Sequence, residues 1–539
     1  MKRLVPFALG ALALGWSAAA LSDELVMGVR TEPQSIDPHW NSLSGDKQVE
    51  QHYFQRLVHM NEFSQPVPQL AVSVESIADD TWEVKLRQGV KWHDGADFDA
   101  DDVIFTYKRL VDKVPGAPSA PFHAIGRGNK QFKKIDSHTV HVTTDGPYPT
   151  LRPDMGGFAI LAEHAAKGAE PSVDFNNGKA AIGTGPYKFV EFKSGDRTII
   201  EKNPNYWGDA KTWAPKWDKI TFKPITEGSS RLAAVLAGDV DVVDYLPTAD
   251  VARLKQEGKI VVAEGSSDRV IYFRMHRRDV EPYVMTNDDK PMFPNPLLDW
   301  RVRRAMSVAI NRDAIRDRVM GGASIPTGNV VPKGFFGHHE GIEPDPYDPE
   351  EAKKLLAAAG YPDGFKITLH GPNDRYINDA KIAETVAQMW TRVGIKTAVS
   401  TMPRNIFFTK QRSGGPNNQP YFQMPSYSVT LVGWGTGTGE ALYSLDGLVR
   451  TYNDLAGHGY SNSGRYSNLR VDVLISMAEK ELNDEKRLVH LREATEIALR
   501  DYAVIPIHFQ VNFWGLRKGL KMTPQANERT YGWNIDKAG

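Results

Sequence analysis

The chain has 539 residues, 41% of them hydrophobic, and a formal net charge of −1 from 65 basic and 66 acidic side chains. Balanced, interspersed charge offers no general attraction to nucleic acid or an acidic membrane. The absence of cysteine excludes disulfides, zinc–thiolate sites, a thiol nucleophile and a lipid-modified N-terminal cysteine.

Length suggests roughly three or four domains' worth of core. Lys2 and Arg3 precede an apolar run from Leu4 to Trp16, and Ala18-Ala19-Ala20 leads into polar Ser22-Asp23-Glu24. That order is expected of a secretory signal peptide over residues 1–22. The run is shorter than the ~20 apolar residues that span a bilayer. Thr81 to Arg87 alternate, with Trp82, Val84 and Leu86 on one face and Glu83, Lys85 and Arg87 on the other, which predicts a half-buried strand. His93-Asp94-Gly95 supplies a turn. Asp99 then caps a helix, with Asp101 and Asp102 near the positive end of its dipole and Val103, Tyr107 and Leu110 at helical spacing.

Asp299 opens another helix, with Val302, Ala305, Met306, Ala309 and Ile310 as its stripe. Asp348-Pro349-Glu350-Glu351 reads as cap, first-turn proline and acid. Ala352, Leu355, Leu356 and Ala359 continue that helix, and Gly360 can take the left-handed stop. Asp379 to Val393 places Ile382, Ala383, Val386, Met389, Trp390 and Val393 on one face; Gly394 ends it, and Ile395, Thr397 and Val399 begin a strand. Arg412 to Pro420 reads as an exposed loop, and Val504 to Phe509 as a buried strand interrupted by Pro506. Strands alternating with helices predict an α/β or mixed α+β architecture.

Four motifs follow in order. Trp92-His93-Asp94-Gly95 runs on to Ala100-Asp101-Asp102-Val103-Ile104-Phe105. Gly183-Thr184-Gly185-Pro186-Tyr187 precedes Asn203-Pro204-Asn205-Tyr206-Trp207-Gly208. Trp300-Arg301-Val302-Arg303-Arg304-Ala305 runs on to Ala309-Ile310-Asn311-Arg312, and Ala352 leads to Gly360-Tyr361-Pro362-Asp363-Gly364-Phe365. Together they resemble family 5 extracellular solute-binding proteins, the dipeptide-, oligopeptide-, glutathione-, haem- and nickel-binding components of ABC importers. The residue types are those of turns, caps and core, and not of ligand contacts.

The resemblance implies two lobes with a hinge between them and an extra domain on the first lobe. Carried over, lobe I takes residues 23–50, 180–268 and 505–539, the extra domain 51–179, and lobe II 269–504, with crossings near Arg269 to Met275 and Ala503 to Phe509. It also implies a periplasmic monomer that captures short peptides or peptide-like solutes, glutathione-like ones included, for the ABC permease subunits of the inner membrane. The alternative is the same scaffold with an opine, sugar conjugate, haem or nickel chelate.

Two stretches match ligand-contacting positions of the family. In Leu431-Val432-Gly433-Trp434-Gly435-Thr436-Gly437-Thr438-Gly439-Glu440, Trp434 stands at the pocket tryptophan. Gly437 stands where the peptide branches place an amine-pairing aspartate. Glu440 becomes the nearest acid for a ligand ammonium, or else a cap for the next helix, while Thr436 and Thr438 offer hydroxyls. In Asn373-Asp374-Arg375-Tyr376-Ile377-Asn378, Arg375 matches an arginine that clamps a peptide carboxylate in the dipeptide branch, a task its planar fork suits.

No cofactor is implied. His338-His339 and His458 lie in Gly-rich loops without metal-ligand spacing. Neither a G-x-S-x-G elbow nor H-E-x-x-H occurs, so the chain reads as a binding protein and not an enzyme.

Overall fold

A computed structural model describes residues 23–41, 44–112, 114–117, 130–208, 213–279, 281–413, 427–453 and 455–538. The expected signal peptide, and most of the expected 412–420 loop, lie outside them. Arg412 belongs to the helix Arg404–Ser413 instead of the loop.

The architecture is mixed α/β, built on a 12-stranded sheet. Two long antiparallel strands, Val261–Met275 and Ile505–Leu516, lie side by side in its middle. On one flank follow Val242–Val243, Glu24–Val29, Lys219–Pro224, Arg197–Lys202 and Tyr187–Lys193. On the other follow Val429–Gly435, Phe365–Pro372 and Val284–Met285, with Ile395–Met402 also paired to Phe365–Pro372. Every residue of Ile505–Leu516 is buried, as expected of a strand covered on both faces. Pro506 cannot donate to a ladder, and the pairing of the two long strands shifts register beside it, between Ile271 and Tyr272.

Each flank contains a parallel set, which needs a crossover helix. Glu24–Val29 is parallel to Lys219–Pro224 and Val242–Val243, and the helix Gly228–Ala237 connects the last two. Phe365–Pro372 is parallel to Ile395–Met402 and Val429–Gly435, and the helix Asp379–Arg392 connects the first two. The expected stripe of that helix is the face that packs: Ile382, Ala383, Val386 and Trp390 are buried, and Trp390 Nε1 donates to the Met306 carbonyl at 2.8 Å. Gly394 ends the helix at φ +111°.

A separate four-stranded antiparallel sheet holds Ala71–Ala78, Thr81–Leu86, Thr139–Thr143 and Gln131–Asp136. Its core gathers Trp82, Val84, Trp92, Phe98, Val103, Val140 and Val142. The helix Ala100–Val111 starts with a full capping box: Asp99 accepts from the Asp101 amide at 2.8 Å, and Asp102 accepts from the Asp99 amide at 3.1 Å.

The first two sequence motifs form one structural unit. The Gly183 amide donates to His93 Nδ1 at 3.2 Å, which leaves Nε2 to donate to the Gly185 carbonyl at 3.1 Å. Asp94 turns away to His164, so His93 and Asp94 are not a catalytic pair. Gly183 is required by close approach, because a Cβ there would overlap the Tyr53 carbonyl. Among the described residues no helix is long and apolar enough to cross a membrane.

Candidate ligand-binding site

Ligands of open α/β sheets bind beyond the carboxyl ends of parallel strands. Here two parallel sets on opposite flanks point their carboxyl ends at the same place. Gly435 pairs with Arg269 at the end of Val429–Gly435, and Phe365–Pro372 runs alongside toward Arg375. From the other flank, Glu24–Val29 ends at Arg30, and Val242–Val243 leads into Asp244 and Tyr245. Between them the pairing of the long strands breaks register from Ser266 to Val270, so residues 267–269 bulge out of the ladder.

The bulge is organised by Glu528, a buried carboxylate from the C-terminal segment. Arg269 donates to it through Nε at 3.1 Å and Nη2 at 2.9 Å. Ser267 Oγ donates at 2.7 Å, Tyr245 Oη at 3.0 Å and Gln510 Nε2 at 3.1 Å. Burial alone raises this carboxyl, but the Arg269 charge and these donors hold it well below the usual range. Asp268, beside it, has no such donors among the described residues. Burial and then the Glu528 charge push its carboxyl up to about 7.

The structure brings Arg375 and Trp434 to this place. The Arg375 and Tyr376 amides both donate to Asp379 Oδ2, at 3.0 and 2.9 Å, which fixes the loop ahead of the helix Asp379–Arg392. Tyr376 Oη donates to the Gly433 carbonyl at 3.2 Å, tying the Arg375 loop to the Trp434 strand. The Ile377 amide reaches Gln510 Oε1, and Asn378 Nδ2 reaches Thr248 Oγ1 at 2.9 Å on the opposite flank. The Arg375 guanidinium is half-buried and has no hydrogen bond or ion pair with any described residue. Burial, then the neighbouring Arg269 charge, lowers its pKa.

Trp434 is half-buried, with Tyr443 stacked at 5.2 Å and Tyr460 tilted against it at 5.7 Å. Its buried Nε1 has no partner among the described residues, nor does the Thr438 hydroxyl. Thr436 turns inward to Ser444 Oγ at 3.3 Å. Glu440 does stand at the N-cap of the helix Ala441–Leu448, yet its side chain makes no capping hydrogen bond. The carboxylate is buried against Arg487 of the helix Asp484–Arg500, which compensates its charge. Gly439, at φ +73°, lies so close to Ser64 that a Cβ would overlap the Ser64 carbonyl.

Sequence reasoning did not single out Arg30, Tyr245, Asp268 or Glu528 as site residues. Each lies outside the two loops with a motif, and only strand pairing collects them. His458 groups with Asp446 and Glu479, their nitrogen and carboxylate atoms lying within 4.8 Å of one another, a grouping that its spacing in the sequence did not show. The Arg450 guanidinium bridges those two acids at 3.1 and 2.6 Å, which supplies the positive charge there. His338 Nδ1 faces the Val331 carbonyl at 2.9 Å instead.

Residues 65–455 match the profile of the bacterial extracellular solute-binding proteins, family 5, middle region. Heme-binding protein A of Haemophilus influenzae is 27% identical over 522 residues, spanning 90% of this chain and 87% of that protein. The glutathione-binding protein GsiB of Salmonella paratyphi A is 27% identical over 514 residues, spanning 93% and 92%. The crystal structure of the ABC transporter substrate-binding protein CtaP from Listeria monocytogenes superposes with a TM-score of 0.80 at 21% identity, covering 96% of this chain and 99% of that one. That likeness shows the fold.

Proposed function

The chain belongs to the family 5 bacterial extracellular solute-binding proteins, and on that premise we propose that it captures short peptides or peptide-like solutes and delivers them to an ABC permease. The observation that carries the peptide-like reading is the Arg375 guanidinium, which has no acid partner among the described residues and stands where both parallel strand sets end. A half-buried guanidinium without an acid partner suits a carboxylate on the solute. Lobe I would comprise residues 23–50, 180–268 and 505–539, with 51–179 as its extra domain and 269–504 as lobe II. In this reading the two long central strands serve as the hinge, and Gly439 of lobe II packs against Ser64 of the extra domain. Secretion through residues 1–22, action as a monomer and the lack of catalysis belong to the same reading.

Calorimetric titration with di- and oligopeptides and with glutathione tests it. Arg375→Ala should weaken a carboxylate-bearing ligand by about 2–5 kcal/mol. Unchanged affinity would remove Arg375 from the site. Silence across the panel would favour the second reading, a non-peptide solute such as an opine, sugar conjugate, haem or nickel chelate. Gly437 favours that reading, because no acid stands there to pair with a peptide amine. Glu440 offers no ready substitute while Arg487 holds it.

A further inference from the structure

Positive charge is in excess around the bulge. Arg30, Arg269, Arg375 and Arg529 gather near Glu528 and Asp268. Among the described residues only Arg269 of the four has a carboxylate partner, Glu528. Arg529 Nε is buried with no partner among the described residues. Arg30 follows the strand Glu24–Val29, and its guanidinium lies 4.0 Å over the Tyr245 ring. Its amide donates to Asp244 Oδ1 at 3.0 Å, but that carboxylate pairs with Arg231.

A continuous set of contacts joins Arg30 to Arg375. Tyr245 Oη donates to Glu528 Oε2 at 3.0 Å, and Gln510 Nε2 donates to Oε1 at 3.1 Å. Gln510 Oε1 in turn accepts from the Ile377 amide at 3.2 Å, two residues beyond Arg375. Both free guanidiniums are thus held around one carboxylate that Arg269 already neutralises.

We infer that Arg30 and Arg375 are the two jaws of an anion clamp, one from each flank of the sheet, which selects solutes carrying a carboxylate. The clamp rests on the ligand site being where the strand sets converge. Its physical content is simple. Closing the flanks brings two like charges together in a partly dry site, which opposes closure until an anion lies between them. A carboxylate accepts from both forks and turns that repulsion into attraction. Arg30 thereby acts on specificity as well as on affinity.

Arg30→Gln, Arg30→Lys and Arg375→Gln proteins would be titrated calorimetrically with tri-alanine, tri-alanine amide and glutathione. Arg30→Gln should weaken tri-alanine and glutathione by about 10-fold or more, and the amide by less than about 2-fold. Arg30→Lys should keep most of the acid-over-amide preference. Equal losses for acid and amide would overturn the clamp. If the wild type binds none of the three probes, the peptide-like reading fails, and the clamp is judged without ligand by small-angle scattering. At low salt, unliganded Arg30→Gln and Arg375→Gln proteins should be more compact than wild type, and high salt should erase the difference. Identical radii of gyration at low salt would overturn it.

Discussion

Replacing Asp268 with Asn should change how the stability of this protein depends on pH. Asp268 is buried in the bulge beside Arg269, with Oδ1 directed at Gly435. Burial first, then the charge of Glu528, lift its carboxyl from 3.8 to about 7 against the opposing pull of Arg269 and Arg529. Between those values the folded protein keeps a proton that the unfolded chain has released. Stability falls with rising pH wherever the native state binds the extra proton. The gap is about 3 pH units at about 1.4 kcal/mol each, so the loss reaches about 4 kcal/mol once pH passes the folded value. Below the unfolded value both states are protonated, and the stability is fully present. Asn has the shape of the neutral acid and does not titrate. Urea unfolding of both proteins at about pH 5 and about pH 8.5 isolates the effect, because Glu528, with its lowered pKa, loses its contribution only in more acid solution. The advantage of Asp268→Asn over wild type should grow by about 3 kcal/mol between the two conditions. An advantage that stays constant would refute the reasoning.

Three further substitutions separate ligand binding from structure. Gly439→Ala drives a Cβ into the Ser64 carbonyl and adds left-handed strain of about 1–2 kcal/mol. If those residues meet only on closure, titration should show an affinity loss of about 10-fold or more, whereas unchanged affinity would place the contact outside the closure step. Glu440→Gln leaves the buried Arg487 with only the exposed carboxylate of Asp484 and should destabilise by about 1–3 kcal/mol in urea unfolding, with the affinity of the folded fraction unchanged. Lost affinity would instead return Glu440 to the ligand. Asp99→Ala removes one half of the capping box and should cost about 0.5–2 kcal/mol by thermal melting, without altering titration curves.

Much of the fold was legible in the chain because its signals are local. Asp99, Asp299 and Asp348 accept from the first amides of their helices, as their spacing required. Gly360 and Gly394 take positive φ where the apolar stripes stop. Trp82, Val84 and Leu86 face inward because a pleated strand alternates. Arg375 was visible as a site candidate because it sits in a loop after a strand, and Trp434 because it ends a buried strand ahead of a Gly-rich loop. Glu440 shows the limit of that reasoning. Its N-cap position follows from sequence, but its partner Arg487 is 47 residues away on another helix.

What the sequence determined by itself was the class of each element, the turns and caps between them, and the family those motifs carry. Tertiary structure alone decided which charges meet. Arg30, Tyr245, Arg269, Arg375 and Glu528 span nearly the whole chain, and no periodicity links them. They converge because two parallel strand sets, from opposite flanks, end against one register break in a shared pair of strands. Charge compensation depends on through-space distance, and that distance exists only once the sheet has formed.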